Sequence, residues 1–144
     1  MKKVLFVCLG NICRSPMAEF IFKDTVKRAN REAEFHIESR ATGSWEHGNP
    51  IHQGTQEIFK KYNIPYDKNK SSQKISPKDF EDYDYIYAMD ENNLRDLQAM
   101  AGDNASKLRL FSKKGSVPDP YFTGDFDETY DLVKDTSQKL IEEL

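Results

Sequence analysis

The chain has 144 residues, 38% of them apolar, and a formal net charge of −3. That length allows one domain with a real core, and the apolar fraction excludes a disordered chain. The acidic balance argues against a nucleic-acid partner, and no apolar run approaches the roughly 20 residues of a membrane span.

The first residues lack the apolar stretch of a secretory leader, and a count of two cysteines suits a reducing cytoplasm. Strand and helix patterns then alternate along the chain. Val4–Val7 reads as a first strand. Ser15-Pro16 reads as a helix start, with Ser15 at the N-cap and Pro16 at the first helical position. That helix runs to about Ala29, with Met17, Phe20 and Ile21 on one face. Phe35–Ser39 alternates as a second strand. His52–Tyr62 is a second helix, stopped by Asn63 before Pro65. Lys68–Ser76 is polar loop, and Ser76-Pro77 opens a helical turn. Tyr83–Ala88 is a third strand, followed by a helix over Glu91–Met100 with Asp90 as its cap. Leu108–Phe111 is a fourth strand. Phe126–Leu144 is a last helix, with Tyr130, Val133, Leu140 and Ile141 on one face.

This alternation predicts an α/β fold: one domain over 1–144, with a four-stranded parallel twisted sheet ordered 2-1-3-4 and helices on both faces. In that order the crevice lies at the C-terminal end of the first strand, the topological switch point. Ser39, Asp90 and the segment 116–121 also follow strand ends and gather at the same edge.

The residues at the switch point are Cys8-Leu9-Gly10-Asn11-Ile12-Cys13-Arg14-Ser15. A nucleophile, five spacer residues, an arginine and a helix start suit the grip of a phosphate monoester. Backbone N–H groups of so short a loop can turn inward as an anion nest, reinforced by the helix that follows. Arg14 adds a planar fork for two phosphate oxygens. Such surroundings pull a thiol from a pKa of roughly 8.5 to about 3.5–7.5, so Cys8 is expected as a thiolate. Ser15 can donate its hydroxyl to that sulfur, and Gly10 and Asn11 tolerate the positive φ of a tight turn. A cysteine ending a buried strand is by itself an inert small hydrophobe; the attached Gly-Asn-x-Cys-Arg-Ser-Pro run favours the catalytic reading. The loop is not a nucleotide P-loop, because no G-x-x-x-x-G-K-[ST] occurs. No cysteine and histidine spacing suits zinc, and no metal or cofactor is expected.

A second titratable group lies in Pro118-Asp119-Pro120. The flanking prolines restrict the backbone and suit a carboxylic acid that must reach over a cleft. Proximity to thiolate and phosphate is expected to raise its pKa and keep it protonated. The bland alternative is a turn aspartate. Asp90 competes as an acid, and its alternatives are a plain N-cap or a contact to Arg14. Leu9, Ile12, Trp45, Tyr121 and Phe122 are expected as cleft walls that stack on a phenol ring. Trp45, the single tryptophan, could instead pack over a helix end.

The chain resembles the low-molecular-weight protein tyrosine phosphatase family. The resemblance rests on V-C-L-G-N-I-C-R-S-P-M-A-E at 7–19, M-D-E-N-N-L at 89–94 and V-P-D-P-Y at 117–121, and covers essentially the whole chain. It implies Cys8 as nucleophile, Arg14 as phosphate clamp, Ser15 as partner of the thiolate, Asn11 as the loop's shape-setting residue and Asp119 as general acid. It also implies a reversible Cys8–Cys13 disulfide that shields the nucleophile, where the alternative is a Cys13 that merely packs beneath the loop. The expected partners are phosphate and other oxyanions and phosphotyrosine proteins. In bacterial relatives these include tyrosine kinases of surface-polysaccharide export. Two departures stand out. Family members often carry a histidine after the second helix that helps a serine, here Ser39, brace the loop. Asn69–Gln73 has none, which leaves Lys70 or Ser71 to substitute. Where relatives have two adjacent tyrosines, this chain has Tyr121-Phe122. Rival readings are arsenate reduction on the same fold, which needs relay thiols absent after Cys13, and a non-catalytic phosphotyrosine reader, which needs neither Cys8 nor Asp119.

Overall fold

A computed structural model describes residues 1–144. Strand β1 (Lys2–Cys8) pairs in parallel with β2 (Phe35–Ala41) on one side and β3 (Tyr85–Ala88) on the other. β3 in turn pairs with β4 (Leu108–Leu110), so the four-stranded sheet has the expected order 2-1-3-4. The crossovers carry helices α1 (Arg14–Arg28), α2 (Gln53–Lys61), α3 (Pro77–Asp82) and α4 (Glu91–Ala101). α5 (Pro120–Thr123) and α6 (Phe126–Glu143) close the chain.

β1 is buried on both faces, and its alternation divides the core. Val4, Phe6 and Cys8 face a cluster with Met17, Phe22, Phe59 and Val133, beneath α1, α2 and α6. Leu5 and Val7 face Phe80, Ile86 and Leu97, beneath α3 and α4. A continuous apolar run is what a central parallel strand requires. Phe6 lies between Phe22, Tyr87 and Phe111, with ring centroids 5.7, 5.8 and 5.5 Å away. Truncating so enclosed a ring costs about 3–5 kcal/mol.

Several boundaries depart from the sequence expectation. Helix α1 begins one residue before Ser15, with Cys13 at the N-cap and no side-chain cap. Ser15 therefore does not cap: its hydroxyl is drawn to the Cys8 sulfur instead. Asn11 has the left-handed backbone expected of it (φ 56°), but Gly10 does not. Gly10 matters through space, because a Cβ there would come within 3.3 Å of Glu46 Cγ. Tyr83 ends α3 rather than starting β3: the Ser76–Asp79 capping box opens the helix, and the Tyr83 N–H closes it on Asp79 O at 3.1 Å. β2 continues past Ser39 to Ala41, where the 71–75 segment tethers it through Ala41 N–H to Gln73 O at 2.8 Å. The short α5 was not expected; Asp119 caps it.

Candidate active site

Cys8 is the last residue of β1, and the loop after it folds back over its own sulfur. The Asn11 N–H donates to Cys8 Sγ at 3.3 Å, and Ser15 Oγ lies 3.1 Å from the same atom. Asn11 is the hub beneath the loop. Its Nδ2 donates to Ser15 Oγ at 2.8 Å and to Ser39 Oγ at 3.0 Å, and its Oδ1 accepts from the Gln73 N–H at 3.1 Å. This uses both amide donors and engages the carbonyl, which helps hold its backbone in the left-handed region. Ser72 Oγ donates to Gly10 O at 2.7 Å and pins the loop from outside.

Ser39 passes the restraint on to a buried charge. Its hydroxyl donates to Glu19 Oε1 at 2.6 Å, and the Glu19 side chain is 1% exposed. A carboxylate so deep needs cations, and Lys23 and Lys70 supply them at 2.6 and 3.2 Å. Lys70 Nζ also donates to Ser39 O at 3.0 Å. Of the two residues expected to substitute for a bracing histidine, Lys70 reaches Ser39 and Ser71 does not: Ser71 is exposed and bridges Pro50. Glu19 was missed as a site residue. Its signal was a lone carboxylate inside the otherwise apolar run Pro16–Phe22.

Arg14 is held before any anion arrives. Nη1 donates to Asp90 Oδ2 at 2.7 Å and to Val117 O at 3.1 Å, and Nη2 to Asp119 Oδ2 at 3.3 Å. Burial opposes its charge, but the Cys8 sulfur, Asp90 and Asp119 outweigh burial and raise its pKa above the ordinary value. Both carboxylates divide their oxygens between two tasks. Asp90 Oδ1 caps α4 by accepting from Asn93 N–H at 2.6 Å, so both alternatives for Asp90 hold at once. Asp119 Oδ1 accepts from Tyr121 N–H at 3.1 Å, which caps α5 and leaves Oδ2 toward the guanidinium.

Arg14 and Asp119 border a cleft of about 230 Å³. It runs from Cys8, 3% exposed, to Trp45, Tyr121 and Phe122, which are 65%, 57% and 77% exposed. Leu9, Gly10, Ile12, Cys13, Arg14 and Asp119 also line it, as expected. Asn11 and Ser15 do not: they are buried under the loop. Ser39 and Asp90 also lie behind the lining. Glu46, at the lip beside Gly10, was missed. The Trp45 ring covers Gly43, where a Cβ would come within 2.3 Å, and this fixes the indole at the mouth rather than on a helix end. Burial pushes the Cys13 thiol up to about 12, with Cys8 and Asp119 adding to the shift. No three His, Cys, Asp or Glu side chains converge as a metal site would, and no helix is long and apolar enough to cross a membrane.

Comparison with known proteins identifies the family. Residues 3–144 match the model of the family described as low molecular weight phosphotyrosine protein phosphatase. The low molecular weight protein-tyrosine-phosphatase YfkJ of Bacillus subtilis is 44% identical, over 98% of this chain and 94% of its own length. PtpA of Staphylococcus aureus (strain MRSA252), named likewise, is 43% identical over 99% of this chain and 93% of its own. The crystal structure of SP-PTP, a low molecular weight protein tyrosine phosphatase from Streptococcus pyogenes, matches with a TM-score of 0.94 and 52% identity. That match covers 100% of this chain and 93% of the other.

Proposed function

The chain belongs to the low molecular weight phosphotyrosine protein phosphatase family, and on that premise we propose that it cleaves phosphotyrosine through a phosphocysteine formed on Cys8. One observation carries this reading: the Cys8 sulfur, the Arg14 guanidinium and the Asp119 carboxylate border one cleft, with Asp119 Oδ2 3.3 Å from Arg14 Nη2.

The phosphoryl group enters against Arg14, whose fork turns from Asp119 to two phosphate oxygens. Released from this ion pair, Asp119 takes a proton from solvent and turns toward the bridging oxygen. The Cys8 thiolate attacks phosphorus in line, the P–O bond to the tyrosine breaks, and the Asp119 proton passes to the departing phenolate. Ser15 stabilises the sulfur. Its oxygen already accepts from Asn11, so its single proton is free for Sγ at 3.1 Å rather than Arg40 O at 3.4 Å. Water then attacks the phosphocysteine and gives its proton to Asp119. The P–S bond breaks, and the thiolate returns with release of phosphate. Arg14 and the loop N–H groups supply the positive charge, so the cycle uses no metal ion.

The aromatic mouth favours phosphotyrosine over shorter phosphoserine. With its phosphate at Cys8, a phenol ring can stack on the aromatic side chains that line the same cleft, a contact a serine side chain cannot make. Tyrosine kinases carrying phosphotyrosine are natural partners of such an enzyme. The test is p-nitrophenyl phosphate turnover. Cys8→Ser should abolish it while inorganic phosphate still binds. Undiminished turnover by Cys8→Ser would overturn the phosphocysteine.

A further inference from the structure

His52, the N-cap of α2, touches both halves of the site without lining the cleft. Its backbone N–H donates to Ile12 O at 2.9 Å, inside the nucleophile loop. Its Nδ1 accepts from the Gly54 N–H at 3.0 Å, which places the ring proton of the neutral imidazole on Nε2 and sets the ring plane. The ring stacks on Phe126, with centroids 5.3 Å apart and planes 20° apart. It meets Tyr121 edge-on at 5.9 Å and 78°.

These two contacts hold the segment that carries Asp119. Tyr121 donates the N–H that Asp119 Oδ1 accepts, so the position of Tyr121 sets the direction of the carboxylate. Phe126 opens α6, directly after the segment. Its ring lies flat over Gly54, where a Cβ would come within 2.4 Å. The first turn of α2 is therefore a spacer. One side is bonded to the nucleophile loop, and the other is packed against the acid-bearing loop.

We propose that His52 is a positioning residue that sets Asp119 against the Cys8 loop and so governs protonation of the leaving oxygen. The proposal rests on Asp119 being the general acid. General acid catalysis contributes about 10²–10⁴-fold, and a loosened acid forfeits part of that. The loss depends on the leaving group. Phenolate departs poorly without a proton, whereas p-nitrophenolate hardly needs one.

The experiment compares kcat/KM for phenyl phosphate and p-nitrophenyl phosphate. His52→Asn keeps a cap acceptor and the backbone bond to Ile12 but removes the ring. It should lose roughly 10-fold on phenyl phosphate and under about 3-fold on p-nitrophenyl phosphate. Phe126→Leu, which changes no residue of α2, should show the same selective loss, so the outcome does not depend on the folding of one variant. His52→Phe keeps the ring contacts and loses the cap, and should keep the wild-type ratio of the two substrates. Equal losses on both substrates in His52→Asn and Phe126→Leu, or no loss, would overturn the proposal. Asp119→Asn separates the two ideas. If it too lacks the phenyl-selective loss, the acid assignment fails; if it shows the loss and the ring variants do not, the positioning role alone fails.

Discussion

Replacing Lys70 by methionine removes a cation 3.2 Å from a carboxylate that is itself 1% exposed. At that distance the Coulomb attraction is about 5 kcal/mol with an effective dielectric of roughly 20. Breaking a buried pair by deleting one partner typically costs about 3–5 kcal/mol. Here Lys23 stays 2.6 Å from Glu19, although it is 40% exposed and more strongly screened. The net destabilisation should then be about 2 kcal/mol, a fall in Tm of roughly 4–8 °C for a domain of this size. The catalytic consequence runs through Ser39, which loses the Lys70 bond to its carbonyl and with it the fixed reference for Asn11. We expect kcat/KM to fall about tenfold, or about 1.4 kcal/mol. Thermal unfolding and p-nitrophenyl phosphate kinetics read the two effects separately. The double variant Glu19→Gln, Lys70→Met should cost less than the sum of the singles, because each single strands the other's charge. A Lys70→Met protein that melts and turns over like the wild type would refute the buried brace. One that melts lower with unchanged kcat/KM would confine Lys70 to stability.

Arg14→Lys keeps the charge but loses the fork that reaches Asp90, Val117 O and phosphate together; kcat/KM should fall about 10²–10³-fold. Inhibition by inorganic phosphate should weaken in parallel, and undiminished inhibition would contradict the clamp. Gly43→Ala places a Cβ within 2.3 Å of the Trp45 ring and should swing the indole out of the cleft mouth. Because Trp45 is the single tryptophan, its fluorescence should report the movement, and KM for p-nitrophenyl phosphate should rise roughly 2–10-fold. An unchanged spectrum and KM would remove Trp45 from recognition. Cys13, with its thiol held near 12 by burial, stays protonated at neutral pH. Iodoacetamide followed by peptide mapping should find Cys8 alkylated and Cys13 unmodified, and equal labelling would contradict that environment.

Much of the fold was legible because it follows from local pattern. The doubly buried run Val4–Val7 could only be a central parallel strand, and the β–α alternation then left few topologies. Cys8 and Arg14 were legible as candidates from the spacing of nucleophile, arginine and helix start, and Asp119 from its two flanking prolines together with the family resemblance. Boundaries were less legible where a side chain had a stronger partner elsewhere. Ser15 has the chemistry of an N-cap, but the Cys8 sulfur and Asn11 compete for its hydroxyl, and α1 starts without a side-chain cap. Tyr83 looks like a strand residue, but its N–H bonds back to Asp79 O and caps the helix end.

The chain by itself therefore pointed to the β–α alternation, from which the strand order and the place of the crevice follow by the handedness of the crossovers, and its motifs pointed to the three groups proposed to do the chemistry. Tertiary structure alone decided how those groups are held. Only in the fold does Glu19 of α1 meet Lys70 of a distant loop, with Ser39 and Asn11 between them and the nucleophile loop. Only there do Asp90 and Asp119 divide their oxygens between a helix cap and Arg14, and only there does His52 bridge two loops. Such contacts join segments far apart in sequence. Their partners are selected by burial, which drives most enclosed polar atoms to find a mate and leaves no periodic trace in the chain.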